Sequence, residues 1–330
     1  MVTTGGTIAS RPVAGRGVLA TEGGSTLLAT VPRLEELAEV RHEDAFRLSS
    51  YLITPAQMLY LATRIRVLGA DPSVSGIVVT HGTSTLEESA YLADLMYSGP
   101  KPVVFTGAMR NASVEDSDGP RNLTDAVTVA ASSRAESLGS LVVMGGEIHG
   151  AREATKSHTS TLDAFDSPGH GPLGEIQDGI VHIFHPRPRL DNLACHVEEL
   201  PRVDLVKLVA GSDGTFLKAS RDVGAVGIVI EAFGKGNTNP SVLAEVRRCI
   251  ESGMSIVIVS RCPEGSVAPV YGDGGGHDLV EAGALMGGNL SGQKARVLLM
   301  LALAAARHLS QPVADLISPH LNIYSEEQKA

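Results

Sequence analysis

Two short turns in this chain of 330 residues combine threonine with glycine in a way that suits binding a carboxylate or an oxyanion. One is Thr4-Gly5-Gly6-Thr7 and the other is Gly82-Thr83-Ser84-Thr85. Glycines let the backbone come close to a substrate and expose N–H groups to a developing oxyanion. A threonine hydroxyl is a weak nucleophile that needs a base, and a lysine can serve as one only if its pKa falls. The same residues also suit ordinary turns and a helix N-cap, so spacing alone leaves both readings open.

Other catalytic patterns fit less well. Gly169-His-Gly-Pro-Leu-Gly174 matches GxGxxG literally, but no strand precedes it and no helix opens after it. The chain contains no GxxxxGK[ST] loop and no GxSxG elbow. His149, His158, His170, His182, His185 and His196 fall close together without HExxH or similar metal-ligand spacing. Cys195, Cys249 and Cys262 stand far apart, which fits reduced thiols better than a disulfide framework or a zinc site. No metal or cofactor is therefore expected.

The elements that must position the threonine turns follow a βα rhythm. Short Val- and Ile-rich runs lead into Gly/Thr/Ser turns and then into segments of helical period, as in a mostly parallel sheet. In the clearest unit, the strand Gly76 to Thr80 runs into the second threonine turn. A helix follows with apolar residues at Leu86, Ala90, Ala93 and Met96, and Thr85 with Glu88 is expected to form a capping box at its start. Further strands are expected at Pro102 to Phe105, Ser140 to Met144, Val226 to Ile230 and Ser255 to Val259. Helices are expected at Asn122 to Ala131, Ser241 to Glu251 and Gln293 to Leu309. Arg11 to Gly24, Thr159 to Gly174 and Gly265 to Gly276 read as loops.

The length suits two α/β domains, since single cores tend to split beyond ~250 to 300 residues. A proline-bearing stretch of weak periodicity around Pro186, Pro188 and Pro201 marks the boundary. The expected organisation is a larger N-terminal domain over 1–190, with a mostly parallel sheet flanked by helices. A linker over 191–212 leads to a smaller C-terminal α/β domain over 213–330. The formal charge of -10 and the lack of a basic run exclude a surface built to neutralise nucleic-acid phosphates. The most apolar long stretch, Ala295 to Ala306, carries Arg296 and is shorter than the ~20 residues a bilayer span needs, so no membrane partner is expected. The opening residues carry neither a basic nor an apolar leader pattern, which points to the cytoplasm, although an upstream start would alter that reading.

Several ordered segments resemble the bacterial-type asparaginases. Thr3 to Ser10 is similar to the first signature of that family, and Val79 to Glu88 is similar to the second. Thr106 to Arg110, Asp118-Gly-Pro120 with Asn122-Leu123, Ala154-Thr-Lys156, Gly171 to Gly174, Gly234 to Asn237 and Gln293 to Arg296 follow in the family's order. The resemblance covers nearly the whole chain. It implies an amidohydrolase in which Thr4 is the nucleophile, forming an acyl-enzyme that water hydrolyses after ammonia leaves. Thr83 and Lys156 would handle protons, while Gly5, Gly82 and Thr83 would line the amide and its oxyanion. Ser50 would hold a substrate carboxylate, and Ala108 would contact the leaving amide through its backbone. The family assembles as dimers and tetramers with shared sites, so Asn237 would complete a neighbour's site in a homodimer or homotetramer.

The sequence departs from the family pattern at three places. Ser84 stands where the family carries an aspartate that binds an α-ammonium group, and Tyr51-Leu52 replaces a polar pair after Ser50. No tyrosine occurs before Tyr51, although many members carry one in the flap after the first signature. The leading expectation is hydrolysis of the side-chain amide of L-asparagine or a close relative. A small amide, imide or lactam without an ammonium group is the alternative suggested by Ser84. A subunit of a tRNA-dependent amidotransferase is a further reading, disfavoured by the acidic charge. A binding protein that has lost catalysis is disfavoured because Thr4, Thr83 and Lys156 are all present.

Overall fold

The computed structural model of the chain describes residues 1–31, 34–185, 193 and 197–321. The chain forms two compact units, Met1–Ala194 and Cys195–Ala330. Of the stretch expected to be a linker, 191, 192 and 194–196 lie outside the described residues, as do Cys195 and His196. The rest of that stretch is not all connection, because Val203–Lys207 is a strand of the second unit's sheet.

In chain order, the first unit opens with β1 (Val2–Gly5), β2 (Ser10–Val13), β3 (Gly17–Ala20), α1 (Gly24–Ala29), β4 (Glu43–Leu48) and α2 (Pro55–Ala70). It continues with β5 (Ile77–Thr80), α3 (Leu86–Met96), β6 (Val103–Thr106), α4 (Gly119–Ala130), β7 (Ser140–Met144) and β8 (Glu147–Gly150). The small strands β9 (Thr155–Lys156), β10 (Phe165–Asp166), β11 (Gly174–Gln177) and β12 (Ile180–Ile183) close it. The main sheet has the order β12-β11-β8-β7-β6-β5-β1-β4. From β7 through β4 every pairing is parallel, whereas β7–β8, β8–β11 and β11–β12 are antiparallel. The inner parallel strands β5, β6 and β7 read as largely apolar runs because helices cover both faces. On one face Val78, Val104 and Leu141 pack with Leu123 and Val127 of α4. The helices α2 and α3 also pack on these strands, and Val79, Phe105 and Val142, the residues alternate to those facing α4, are fully buried.

Helix starts differ from expectation in an informative way. Thr85 makes no side-chain cap at α3, because its hydroxyl donates instead to the Ser50 carbonyl at 2.9 Å. The capping box lies at α2, where Thr54 and Gln57 exchange side-chain bonds with each other's backbone N–H. The segment from Arg11, read as loop, contains an antiparallel hairpin of β2 and β3 in which Val13 pairs with Gly17. Gly15 and Gly17 hold φ values of 70° and 77° at its turn, a conformation glycine adopts without strain.

The second unit is built from β13 (Val203–Lys207), α5 (Thr215–Asp222), β14 (Gly227–Ala232), α6 (Pro240–Glu251), β15 (Ser255–Ser260) and α7 (Gly276–Glu281). The strand β16 (Leu285–Met286) and the helices α8 (Gly292–Leu309) and α9 (Val313–Leu321) complete it. Its sheet, β13-β14-β15-β16, is wholly parallel. One face packs Ile228, Ile230, Ile256 and Ile258 against Leu217 of α5 and Val242 and Val246 of α6. Most of α8 is buried, and it packs on β13, β14 and β15. No described helix is long and apolar enough to cross a membrane.

Candidate active site

In an open parallel sheet, loops gather catalytic groups beyond the carboxyl ends of the strands. Both threonine turns occupy such positions, on the adjacent strands β1 and β5. Gly6 has φ 80° and ψ -177°, a region essentially closed to other residues. It lies against Gly82 so tightly that a β-carbon on Gly6 would stand 2.3 Å from the Gly82 Cα and nitrogen. Gly82 in turn faces Ser50, whose Oγ would be 2.6 Å from a β-carbon there. The first turn is held from its other side by the Gly6 N–H donating to the Leu48 carbonyl at 2.9 Å. Glycine at these positions thus lets Thr4, Thr83 and Ser50 share one neighbourhood.

Thr4 is fully buried, and its hydroxyl donates to the Thr80 carbonyl at 3.0 Å. Three residues after Thr80, the Thr83 hydroxyl accepts from Lys156 Nζ at 2.7 Å. Burial pushes the Lys156 ammonium below the usual lysine range, because the charged form loses hydration. Lys156 lies on β9, which pairs with β10, and β10 leads directly to Ser167. Ser167 Oγ is 2.9 Å from Nδ1 of the buried His149 on β8. That contact ties the lysine's small strand pair to the main sheet.

Ser50 is buried, and its Oγ accepts the Ser84 N–H at 3.1 Å. This leaves the Ser50 hydroxyl proton to point at another acceptor. Ser84 itself is exposed, and Tyr51 is 70% exposed. Ala108 is fully buried next to Gly107, whose β-carbon would meet the His81 oxygen at 2.5 Å and Thr83 Cγ2 at 3.2 Å. His81 is neutral at physiological pH, since complete burial lowers its pKa to about 4. Its ring nitrogens lie 2.8 Å from the Gly82 oxygen and 3.0 Å from Ser89 Oγ. Gly5, with φ 104°, packs on the Leu48 backbone. Asn237 belongs to the second unit, where its Oδ1 accepts the Gly276 N–H at 3.2 Å.

Two supports were given no role by sequence reasoning. Asp44 accepts bonds from the Thr3 hydroxyl at 2.7 Å, the Gly24 N–H at 2.8 Å and Arg47 at 2.7 Å. The Arg47 bond first, then those from Thr3 and Gly24, hold its carboxyl at about 2. This clamp binds β1 beside Thr4 to the start of α1. The second support is the Asp118 and Asn122 pair on and before α4, which has no signal of its own beyond its place in the family-like order.

The chain is similar to known proteins along most of its length. The family model described as asparaginase, N-terminal, matches residues 1–189, and the glutaminase/asparaginase C-terminal domain matches residues 202–312. An L-asparaginase of Bacillus licheniformis is 35% identical over 92% of this chain and 95% of its own. A probable L-asparaginase of Deinococcus radiodurans is 39% identical over 92% of each. The crystal structure of a probable cytoplasmic L-asparaginase from Campylobacter jejuni superposes with a TM-score of 0.82 at 32% identity, covering 92% of this chain and 93% of that one.

Proposed function

The chain belongs to the asparaginase family, and from that membership we propose that it hydrolyses the side-chain amide of L-asparagine or a close relative through an acyl-enzyme on Thr4. The observation that carries this reading is the 2.7 Å bond between Lys156 Nζ and Thr83 Oγ1, with the lysine desolvated. A lysine whose pKa is lowered gives up its proton more readily, which suits it to proton exchange, and the hydroxyl bonded to it can relay one.

In the first step, the Thr4 hydroxyl gives its proton by way of Thr83 to Lys156 while Oγ bonds to the amide carbon. The C–N bond then breaks, the nitrogen takes up that proton and ammonia leaves. Water attacks the resulting ester, returns a proton to Thr4 Oγ and frees the carboxylic acid. Gly5, Gly82 and Thr83 line the reacting amide, Ala108 meets its nitrogen through the backbone, and Ser50 donates to a substrate carboxylate. Because Thr4 has no exposed surface, the chain around it must move to admit substrate.

We further infer a homodimer or homotetramer in which Asn237 completes the site of a neighbouring copy, and a cytoplasmic location like that named for the Campylobacter jejuni protein. A small amide without an ammonium group is a second reading, favoured by one observation: the turn Gly82 to Thr85 carries no charge, and Ser84 presents only a hydroxyl and a backbone N–H bound to Ser50. Ammonia release from L-asparagine, L-glutamine and ammonium-free amides separates the two. Loss of all turnover in Thr4→Ala with an unchanged melting temperature supports the acyl-enzyme, and retained turnover overturns it.

A further inference from the structure

We infer that Asn122 is a positioning residue for the proton-handling pair, acting through the loop that backs Thr83. Its side chain joins three pieces of chain at once. Nδ2 donates to the Gly107 carbonyl at 3.1 Å and to Asp118 Oδ2 at 3.0 Å, while Oδ1 accepts the Gly145 N–H at 3.2 Å. Asn122 is 1% exposed, so none of these bonds is readily replaced by water. Asp118 grips the same loop two residues further on, accepting the N–H groups of Met109 at 2.9 Å and Arg110 at 2.8 Å. The run Gly107 to Arg110 is thereby held at its first carbonyl and at two successive amides.

That loop is the wall behind Thr83. A β-carbon at Gly107 would stand 3.2 Å from Thr83 Cγ2, so the threonine methyl faces the Gly107 backbone across a gap too narrow for a side chain. Threonine χ1 has three staggered wells, and placing the methyl fixes the hydroxyl. With the methyl on the wall, Oγ1 faces Lys156 at 2.7 Å. Moving the wall frees the methyl to change wells, and the hydroxyl leaves the lysine. The role of Asn122 is thus to choose the Thr83 rotamer, which no general contribution to folding would do.

This inference rests on the proposed roles of Thr83 and Lys156, and a double-mutant cycle tests the two separately. Serine has no methyl to rest on Gly107, so its hydroxyl does not depend on the wall. Asn122→Ala lowers kcat at least about tenfold in the wild type with KM changed less than about threefold, whereas in Thr83→Ser it lowers kcat less than about threefold. Equal losses in both backgrounds overturn the inference. Wild-type turnover in both Thr83→Ser and Lys156→Met instead overturns the reading of the site. Melting curves of each variant show whether the fold persists. If Asn122→Ala does not fold, Asp118→Asn, which loosens Met109 and Arg110 in the same loop, takes its place in the cycle with the same expected coupling.

Discussion

Gly6 and Gly82 touch backbone to backbone, and this contact sets the distance between the two threonine turns. An alanine at Gly6 would meet both penalties at once. The conformation at φ 80° and ψ -177° costs a side chain ~1 to 3 kcal/mol, and the β-carbon overlaps Gly82. Gly6→Ala is expected to lower the melting temperature and to cut kcat/KM by about a hundredfold or more, as misplacement of a nucleophile by about 1 Å does. Gly82→Ala presses hardest on the Ser50 side chain, whose Oγ would lie 2.6 Å away, and less on the Gly6 Cα at 3.0 Å, so its main effect is a raised KM. Steady-state kinetics beside calorimetry distinguishes the pair, and equal KM effects in both variants would contradict this geometry.

Lys156 gives a pH signature. Only its neutral form accepts a proton, so kcat rises with pH along a limb whose midpoint lies below the ordinary lysine value of 10.5. Lys156→Met removes that limb and lowers kcat by ~10² to 10⁴. Stability moves the same way: the unfolded lysine binds a proton more tightly than the folded one, so folding strengthens as pH rises through the folded pKa toward 10.5. A flat kcat profile in the wild type excludes Lys156 as the base.

Much of this arrangement was legible in the sequence, and the reason differs by element. The β5–α3 unit announced itself because a buried parallel strand is an unbroken apolar run and its helix repeats on one face. Ser140–Met144 was found for the same reason. Thr85 misled, since a hydroxyl that could cap its own helix found a better-placed acceptor in the Ser50 carbonyl 35 residues away. The hairpin of β2 and β3 was missed because its exposed strands show little alternation. The Asp44 clamp was invisible because Thr3 and Asp44 meet only through strand register, Thr3 lying opposite Asp44.

Asp44 makes that clamp testable. Its pKa falls from 3.8 to about 2 on folding, so its contribution is complete above the unfolded value and is lost as pH drops through the interval between them. The melting temperature of the wild type should exceed that of Asp44→Asn by a constant margin at neutral pH, and the margin should shrink between about pH 4 and pH 2. A margin that does not narrow there assigns the loss to packing rather than to the carboxylate.

The proposed sharing of sites between copies predicts complementation. Thr4→Ala and Asn237→Ala are each expected to be nearly inactive, yet coexpression should restore roughly a quarter of wild-type sites if each site pairs Thr4 of one copy with Asn237 of another. Full activity in Asn237→Ala, or no recovery on coexpression, would place all the chemistry within one copy.

The substrate turns on Ser84. A charge-assisted hydrogen bond is worth ~1.5 to 3 kcal/mol, so a site without a carboxylate facing the α-ammonium group gives up roughly ten- to a hundredfold in specificity for L-asparagine. Ser84 is exposed and its N–H already binds Ser50, so a longer acidic side chain extends toward solvent without breaking the backbone contact. Ser84→Asp should therefore raise kcat/KM for L-asparagine. It should lower kcat/KM for amides lacking the ammonium, because substrate would then bury an unpaired carboxylate. The two changes must run in opposite directions. If the wild type already turns over L-asparagine efficiently and Ser84→Asp alters neither class, then the ammonium group is recognised by another acid, and Asp273, on the loop that follows Tyr271, becomes the residue to replace.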